Sequence, residues 1–360
     1  LFDRCELLES VNLSGFDTSR VTDMSSMFSD CYVLASLDVS GFDTSQVTDM
    51  SLMFSNCEKL SSLDVSAFDT SQVTGMYSMF FGCESLSSLD VSSFDTSQVK
   101  TMFRMFSWCD SLETLDLSGF DTSQVTTMNR MFEMCESLSS LNLSGFDTSQ
   151  VMDMFSMFSA CPKLVSLDLS SFDTSKVENM SGMFDSCLKL ASLDLSNFDT
   201  SQVTSMSNMF FGCSKLVSLN LSSFDTSKVT KMTSMFSSCD RLQTVVLGSK
   251  FAFEGAGSTR LCSLSTPNWY TLTGRWMSSA DGKVYEPKSV PSNVAATYAA
   301  EVDPNAKPIP RFPDVDYSPW SWYADGVTDV AYRGLITGYT DGEKAGLFGV
   351  GDTLTRGQLA

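Results

Sequence analysis

Cysteine, aspartate and a few aromatic side chains recur along this chain at one interval, and what they can do depends on what stacks on what. Cys5, Cys31, Cys57, Cys83, Cys109, Cys135, Cys161, Cys187, Cys213 and Cys239 are each 26 residues apart. If the chain winds into coils, such a column places cysteines about 5 Å apart, within reach of a disulfide. Bridges between neighbours would pull a regular ladder out of register, and single cysteines at this interval lack the paired spacing of zinc sites. The expected role is reduced core packing, with Cys262, off the ladder, the more reactive thiol.

Two acidic columns keep the same interval. Asp17 through Asp225 stand in every Phe-Asp-Thr-Ser motif, while Asp38, Asp64, Asp90, Asp116, Asp168 and Asp194 form a second column whose gaps hold Asn12, Asn142 and Asn220. Carboxylates about 5 Å apart repel by roughly 1 kcal/mol in water and 3 kcal/mol at an effective dielectric of 20, so something must offset that. For the motif column the expectation is capping of backbone N–H groups beside Thr-Ser. For the second column, calcium held by Asp38, Asp64, Asp90 and Asp116 is the alternative. No repeat is set apart as a carboxylate pair for acid–base catalysis. The chain has no histidine, which removes His-activated nucleophiles, His proton shuttles and His-containing metal sites. No catalytic residue is nominated, and a non-enzyme is expected. Tyr77, Phe81, Phe103 and Trp108 replace small polar residues in adjacent repeats and are the candidate ligand contacts, toward protein or sugar.

The elements that position these residues follow from the repeat, C-x-x-L-x-x-L-D-[LV]-S-x-F-D-T-S-x-V-x-x-M-x-x-M-F-x-x, of which nine complete copies lie between Cys5 and Cys239. Leu63 and Val65 flank Asp64, a short strand with one face inward. Val73, Met76, Met79, Phe80 and Cys83 are spaced 3, 3, 1 and 3, which predicts a short helical stripe, partly 3₁₀. Each unit therefore reads as strand, turn and helix. One such unit cannot bury its own apolar face, so the copies stack and pair their strands into a parallel sheet. Leu1-Phe2 aligns with Met27-Phe28, so an earlier repeat is expected upstream.

The repeats, with L-x-x-L-x-L in each unit, resemble BspA-like leucine-rich-repeat bacterial surface proteins. The resemblance covers residues 1–247 and implies an α/β leucine-rich-repeat-like solenoid. It departs at Phe42, where ordinary repeats place Asn or Cys, so stacked rings are expected to pack the turn after the strand.

Composition changes after residue 247: eight of nine prolines lie between Pro267 and Pro319, and the net charge is −18 for residues 1–247 (13 Lys+Arg, 31 Asp+Glu) against −2 for the rest (10 and 12). Thr273–Trp276 and Asp281–Tyr285 predict short strands in a β-rich cap over 248–298, followed by a Pro-rich linker over 299–311. Phe312-Pro313-Asp314-Val315, Trp322-Tyr323, Gly334-Leu335-Ile336-Thr337-Gly338-Tyr339, Asp341-Gly342 and Thr355-Arg356 then resemble one S-layer homology module over 312–360. The resemblance implies helix, loop and helix, with the second helix starting near Ala360. It also implies binding to a secondary cell-wall polymer carrying anionic groups, through Arg356 and Trp322.

An acidic surface repels nucleic acid and anionic lipid, and no run of about 20 apolar residues spans a membrane. Together these readings give a secreted, wall-anchored solenoid whose partners are the wall polymer and a host protein or glycan. The alternatives are a structural spacer or surface-layer component, or the non-catalytic part of a larger polysaccharide-acting enzyme.

Overall fold

A computed structural model describes residues 1–253 and 272–304. Each 26-residue interval is one coil of a stack, and equivalent residues of successive coils lie side by side. The inward columns are buried without exception from the second coil to the ninth: Cys57, Leu60, Val73, Met76, Met79 and Phe80 are all fully enclosed, as are their equivalents. The Cys, Leu, Val, Met and Phe columns therefore form one continuous core.

The strand segment keeps the predicted alternation, with Leu63 and Val65 buried beside exposed Asp64, but no strand forms around Asp64, and paired strands appear only in later coils. In β1 (Thr114–Asp116) the central Leu115 is buried between exposed Thr114 and Asp116, and it pairs in parallel with β2 (Ser140–Asn142), each residue opposite its equivalent one coil on. The same pairing joins β3 (Ser218–Leu221) to β4 (Thr244–Leu247).

The expected helix does not form: the described residues contain no α-helix, and their one helical element is the 3₁₀ turn Pro287–Ser289. Where a helical stripe was predicted, the chain runs through successive β-turns. In residues 24–31 every amide has an acceptor. Those of Met24, Ser26, Phe28 and Asp30 donate to Asp49, Ser51, Met53 and Ser55 of the next coil, whereas those of Met27, Ser29 and Cys31 donate three residues back. The eighth, Ser25 N–H, donates to Asp23 Oδ1 at 2.8 Å. A helix this short would leave its first four amides unpaired; the neighbouring coil offers carbonyls that a lone segment lacks. The cost is left-handed backbone twice per coil, as at Ser26 (φ 54°) and Asp30 (φ 58°). A second parallel ladder of bridges follows from this, running from Asp23 to Asp49 to Gly75 and again from Thr101 to Lys231.

Ring stacking occurs, but in a different column from the one expected at Phe42. Phe2, Phe28, Phe54, Phe80, Phe106, Phe132, Phe158, Phe184, Phe210 and Phe236 stack with centroids 5.4–5.9 Å apart. The Phe-Asp-Thr-Ser rings from Phe42 to Phe224 are buried while Phe16 is exposed, and Phe146 and Phe172 of this column stack on each other. Their turn is instead held by the buried threonine. Thr44 Oγ1 donates to the Asp69 carbonyl at 2.9 Å and accepts the Asp69 N–H at 2.7 Å, and the motif repeats this bridge from coil to coil.

At the far end β7 (Ala296–Val302) pairs antiparallel with β4, and β5 (Leu272–Ser278) pairs with β7 and with β6 (Val284–Tyr285), giving the order β3-β4-β7-β5-β6. Trp276 and Tyr298 are fully buried beneath this sheet. β7 continues to Val302, into residues read from sequence as linker. The helix, loop and helix expected over residues 312–360, with Trp322 and Arg356, lie outside the described residues, as does Cys262.

Candidate functional site

Two surfaces emerge from this stack. On the strand face, exposed Ser and Asp side chains line a shallow groove of about 770 Å³ beside Ser10, Ser36, Asp38, Ser62, Asp64 and Asp90. It leads on to a second depression beside Asp90, Thr114 and Asp116. The carboxylates here are already engaged. Asp38 Oδ1 accepts the Ser40 hydroxyl at 2.6 Å and the Ser40 N–H at 3.0 Å, Asp64 treats Ser66 the same way, and Asp90 and Asp116 accept the amides of Ser92 and Ser118. These bonds hold all four carboxyls below the usual carboxylate range.

The asparagines in this column clarify what the position requires. Asn142 and Asn220 offer Oδ1 to Ser144 and Ser222 at 3.2 and 3.1 Å, so the acceptor is kept while the charge is dropped. Capping is therefore the common demand, and among the described residues no group of three or more Asp, Glu or Cys is arranged to hold a metal. The motif aspartates cap in the same manner: Asp43 Oδ1 accepts Ser45 Oγ at 2.7 Å and Ser45 N–H at 3.0 Å. At Asp225 the Ser227 bonds, helped by Lys250, bring the carboxyl down to about 2.

The cysteine ladder is a packing device that also satisfies carbonyls. From Cys31 to Cys239 each thiol donates to the phenylalanine carbonyl one coil back, as Cys57 does to Phe28 and Cys135 to Phe106, at 3.2 and 3.1 Å. Burial pushes the Cys83 and Cys187 thiols up to about 12, far from the thiolate that nucleophilic or redox chemistry needs.

The second surface lies on the turn side. Tyr77 and Trp108 are 37% and 39% exposed, while Phe81 and Phe103 are half-buried. The structure joins Phe81 and Phe103 through a residue that sequence reading passed over: the Arg104 guanidinium lies 5.4 Å from the Phe81 centroid and 5.3 Å from that of Phe103. One coil on, Arg130 lies over Phe155 at 4.9 Å and pairs with Glu133 at 3.3 Å. Half-burial raises the Glu133 carboxyl while Arg130 and Arg104 lower it. Arg104 Nε and Asn129 Oδ1 are buried without hydrogen-bond partners. The signal was present in sequence as two consecutive arginines in a column otherwise mostly small, at Ser78, Arg104, Arg130 and Ser156. Such a surface offers ring faces and planar donors together, suited to sugar or protein and to no evident bond-breaking chemistry.

Comparison with known proteins agrees with both resemblances drawn from the residues. The family model described as "Mycoplasma protein of unknown function, DUF285" matches residues 1–114, 61–166 and 160–251, and the S-layer homology domain matches residues 311–360. No curated protein matches the chain. Among solved structures, a leucine-rich repeat protein from Bacteroides ovatus is 21% identical over 60% of this chain and 59% of its own, with a TM-score of 0.37. A leucine rich cell surface protein from Faecalibacterium prausnitzii is 19% identical over 65% and 76%, with a TM-score of 0.23. The functional domain of InlJ from Listeria monocytogenes, which includes a cysteine ladder, is 20% identical over 62% and 55%, with a TM-score of 0.22. The chain thus spans about three fifths of the first of these structures. No helix among the described residues is long and apolar enough to cross a membrane, and an S-layer homology domain indicates attachment at a cell wall or surface. With its repeats matched over residues 1–251, the chain belongs to the DUF285 family and carries an S-layer homology domain at residues 311–360.

Proposed function

We propose that the chain is a non-enzymatic, adhesin-like binding protein displayed on a bacterial cell wall. In this reading residues 1–247 present the binding surface, the segment from 248 through β7 to Val302 closes its end, the residues from there to 311 space it from the wall and 312–360 anchor it. The observation that carries the reading is an anchoring domain in the same chain as solvent-facing aromatics that the core does not need. Tyr77 and Trp108 stand exposed where other coils place Ser51 or Asn56. Covering such rings is what a partner supplies, and a host protein or glycan fits Tyr77, Phe81, Phe103 and Trp108 with Arg104 among them. At the anchor, the planar fork of Arg356 suits an anionic group of the secondary cell-wall polymer and the face of Trp322 suits a sugar.

The test has two arms on the full chain. Binding to arrays of host matrix proteins and glycans is expected to fall at least about tenfold in the double variant Tyr77→Ala/Trp108→Ala, with pull-down on wall polymer unchanged. Arg356→Ala is expected to weaken the pull-down roughly ten- to a hundredfold, the worth of one Arg–anion contact, with array binding intact. Array signal that ignores the aromatic variant removes the adhesive surface from this patch. Absence of any array ligand favours the second reading, a structural spacer or surface-layer component, which the near-uniform Ser and Asp strand face also suits.

A further inference from the structure

On the turn side, three successive segments run against the acidic character of the array. Residues 1–247 carry a net charge of −18, yet residues 74–83, 100–109 and 126–135 together hold Lys100, Arg104 and Arg130 against Glu133 alone. Backbone bonds set these segments side by side. Ser78 N–H donates to the Phe103 carbonyl at 2.8 Å, Arg104 N–H to that of Asn129 at 3.1 Å and Trp108 N–H to that of Glu133 at 2.8 Å. Tyr77 and Phe103 are thus equivalents on adjacent coils, and so are Arg104 and Arg130.

The two guanidinium groups share one acid. Burial raises the Glu133 carboxyl while Arg130 and then Arg104 lower it. Arg130 Nε lies 3.3 Å from Glu133 Oε1 without the geometry of a hydrogen bond, and Arg104 Nε is buried with no acceptor. Asn129 Oδ1 lacks a donor as well, its Nδ2 being engaged with Asp153 at 2.8 Å. What holds Arg104 is the pair of rings of Phe81 and Phe103, and ring faces position a guanidinium without occupying its donors. A planar fork held in this way suits an oxyanion.

Resting on the adhesive reading of the same patch, we propose that it takes a short glycan bearing a single oxyanion, a carboxylate or a sulfate. The oxyanion lies on Arg104 beside Arg130, and sugar faces cover the exposed rings of Tyr77 and Trp108. An acidic sugar carries both chemistries in one small unit, an apolar ring face for the aromatics and a charge for the fork. The net −18 of the array decides against ligands of many charges. A nucleic acid, a polysulfated chain or an acidic peptide would meet Arg104 and then the field of the surrounding carboxylates, whereas a lone charge among neutral hydroxyls meets that field once.

NMR titration of the full chain with glycans in matched pairs tests this at about 0.15 M salt, where charges reach about 8 Å. The probes are sialyllactose, a disaccharide ending in glucuronic acid and a singly sulfated lactose, each beside its uncharged counterpart. At least one charged member is expected to bind about tenfold or more tightly than its counterpart, and which one binds separates carboxylate from sulfate. Arg104→Gln, with unchanged circular dichroism, is expected to weaken that binding roughly ten- to a hundredfold. Arg104→Lys keeps the charge and loses the fork, and is expected to fall between the two. Uncharged counterparts that bind equally, charged binding that ignores Arg104→Gln, a polysulfated chain preferred to every singly charged sugar, or no charged glycan bound at all would each overturn the proposal. Matrix-protein binding that Tyr77→Ala/Trp108→Ala weakens and Arg104→Gln does not would leave the adhesive reading standing without it. Failure of the adhesive reading shows differently, as an aromatic variant that treats every partner as the parent does.

Discussion

Thr122 shows how a single side chain links two coils. Its buried hydroxyl donates to the Asp147 carbonyl at 2.7 Å and accepts the Asp147 N–H at 2.9 Å, so one Oγ1 satisfies both polar groups of a residue in the next coil. Thr122→Val keeps shape and removes both bonds, and leaving the pair unsatisfied costs about 1–3 kcal/mol. Thr122→Ser keeps the hydroxyl and loses about 0.8 kcal/mol for the methyl group. Urea denaturation of the two variants separates these cases, and equal losses would mean that the threonine acts by packing alone. Asp110 illustrates the opposite situation, a carboxyl whose charged form the fold disfavours. Its pKa is raised to about 6, above the ordinary unfolded value of about 3.9. Its favourable contribution is therefore complete below about pH 4 and lost as pH rises through about 6. Asp110→Asn is expected to raise the melting temperature at pH 7.5 in dilute solution and to leave it unchanged at pH 3.5; a gain of the same size at both pH values would count against desolvation as the cause.

The turn ladder is the element that sequence periodicity mistook for a helix. Met76, Met79, Phe80 and Cys83 point inward at intervals of three and four, and a chain of β-turns that donates every second amide sideways satisfies those intervals as well as a helix does. The two differ at the left-handed positions. Ala160 has φ 56° and Gly182 φ 64°, and a side chain at such a φ costs about 1–2 kcal/mol. In an α-helix Ala→Gly loses about 1 kcal/mol. Here Ala160→Gly is expected to be neutral or stabilising by up to about 1 kcal/mol. Gly182→Val is expected to destabilise by at least about 2 kcal/mol, since its Cβ would also sit 2.9 Å from Ser156 Oγ. Thermal melts decide it: a loss of about 1 kcal/mol at Ala160→Gly would restore the helix.

At the scale of the whole molecule, a stack in which each coil touches only its neighbours has stability that adds along one dimension and an exposed edge wherever it stops. β7 closes the edge of β4 by antiparallel pairing from Thr244 with Ala299 to Leu247 with Ala296, and Tyr298 pins it from beneath. Tyr298→Ala removes a fully buried ring, a change worth about 3–5 kcal/mol. Amides of Thr244–Leu247 are expected to lose hydrogen-exchange protection while those of residues 24–31, eight coils away, keep theirs. Uniform loss along the array would show that the stack melts as one unit, and no loss at β4 would show that the cap is dispensable.

From the chain alone came everything that a 26-residue period makes local and repetitive. The coil length, the inward columns from Cys57 to Phe80, the inward and outward alternation around Asp64 and the capping by Asp43 all follow, because a residue stacked on its own equivalent meets the same demand in every coil. The anchoring domain was legible for a similar reason, as a contiguous motif from Phe312 to Arg356. Tertiary structure decided whatever depends on a partner 25 or 26 residues away. The acceptors for Met24 and Phe28 belong to the next coil, and they turn a helical spacing into a turn ladder. The second partner of Thr122 is Asp147, so a turn-forming threonine became a cross-coil bridge. Stacking chose the Phe28 column over the Phe42 column, and Arg104 became a neighbour of Phe81 only when coils aligned. Periodicity fixes which side chains point inward, but a backbone amide takes whichever carbonyl is nearest, and in a stack about 5 Å apart that carbonyl lies on the neighbouring coil.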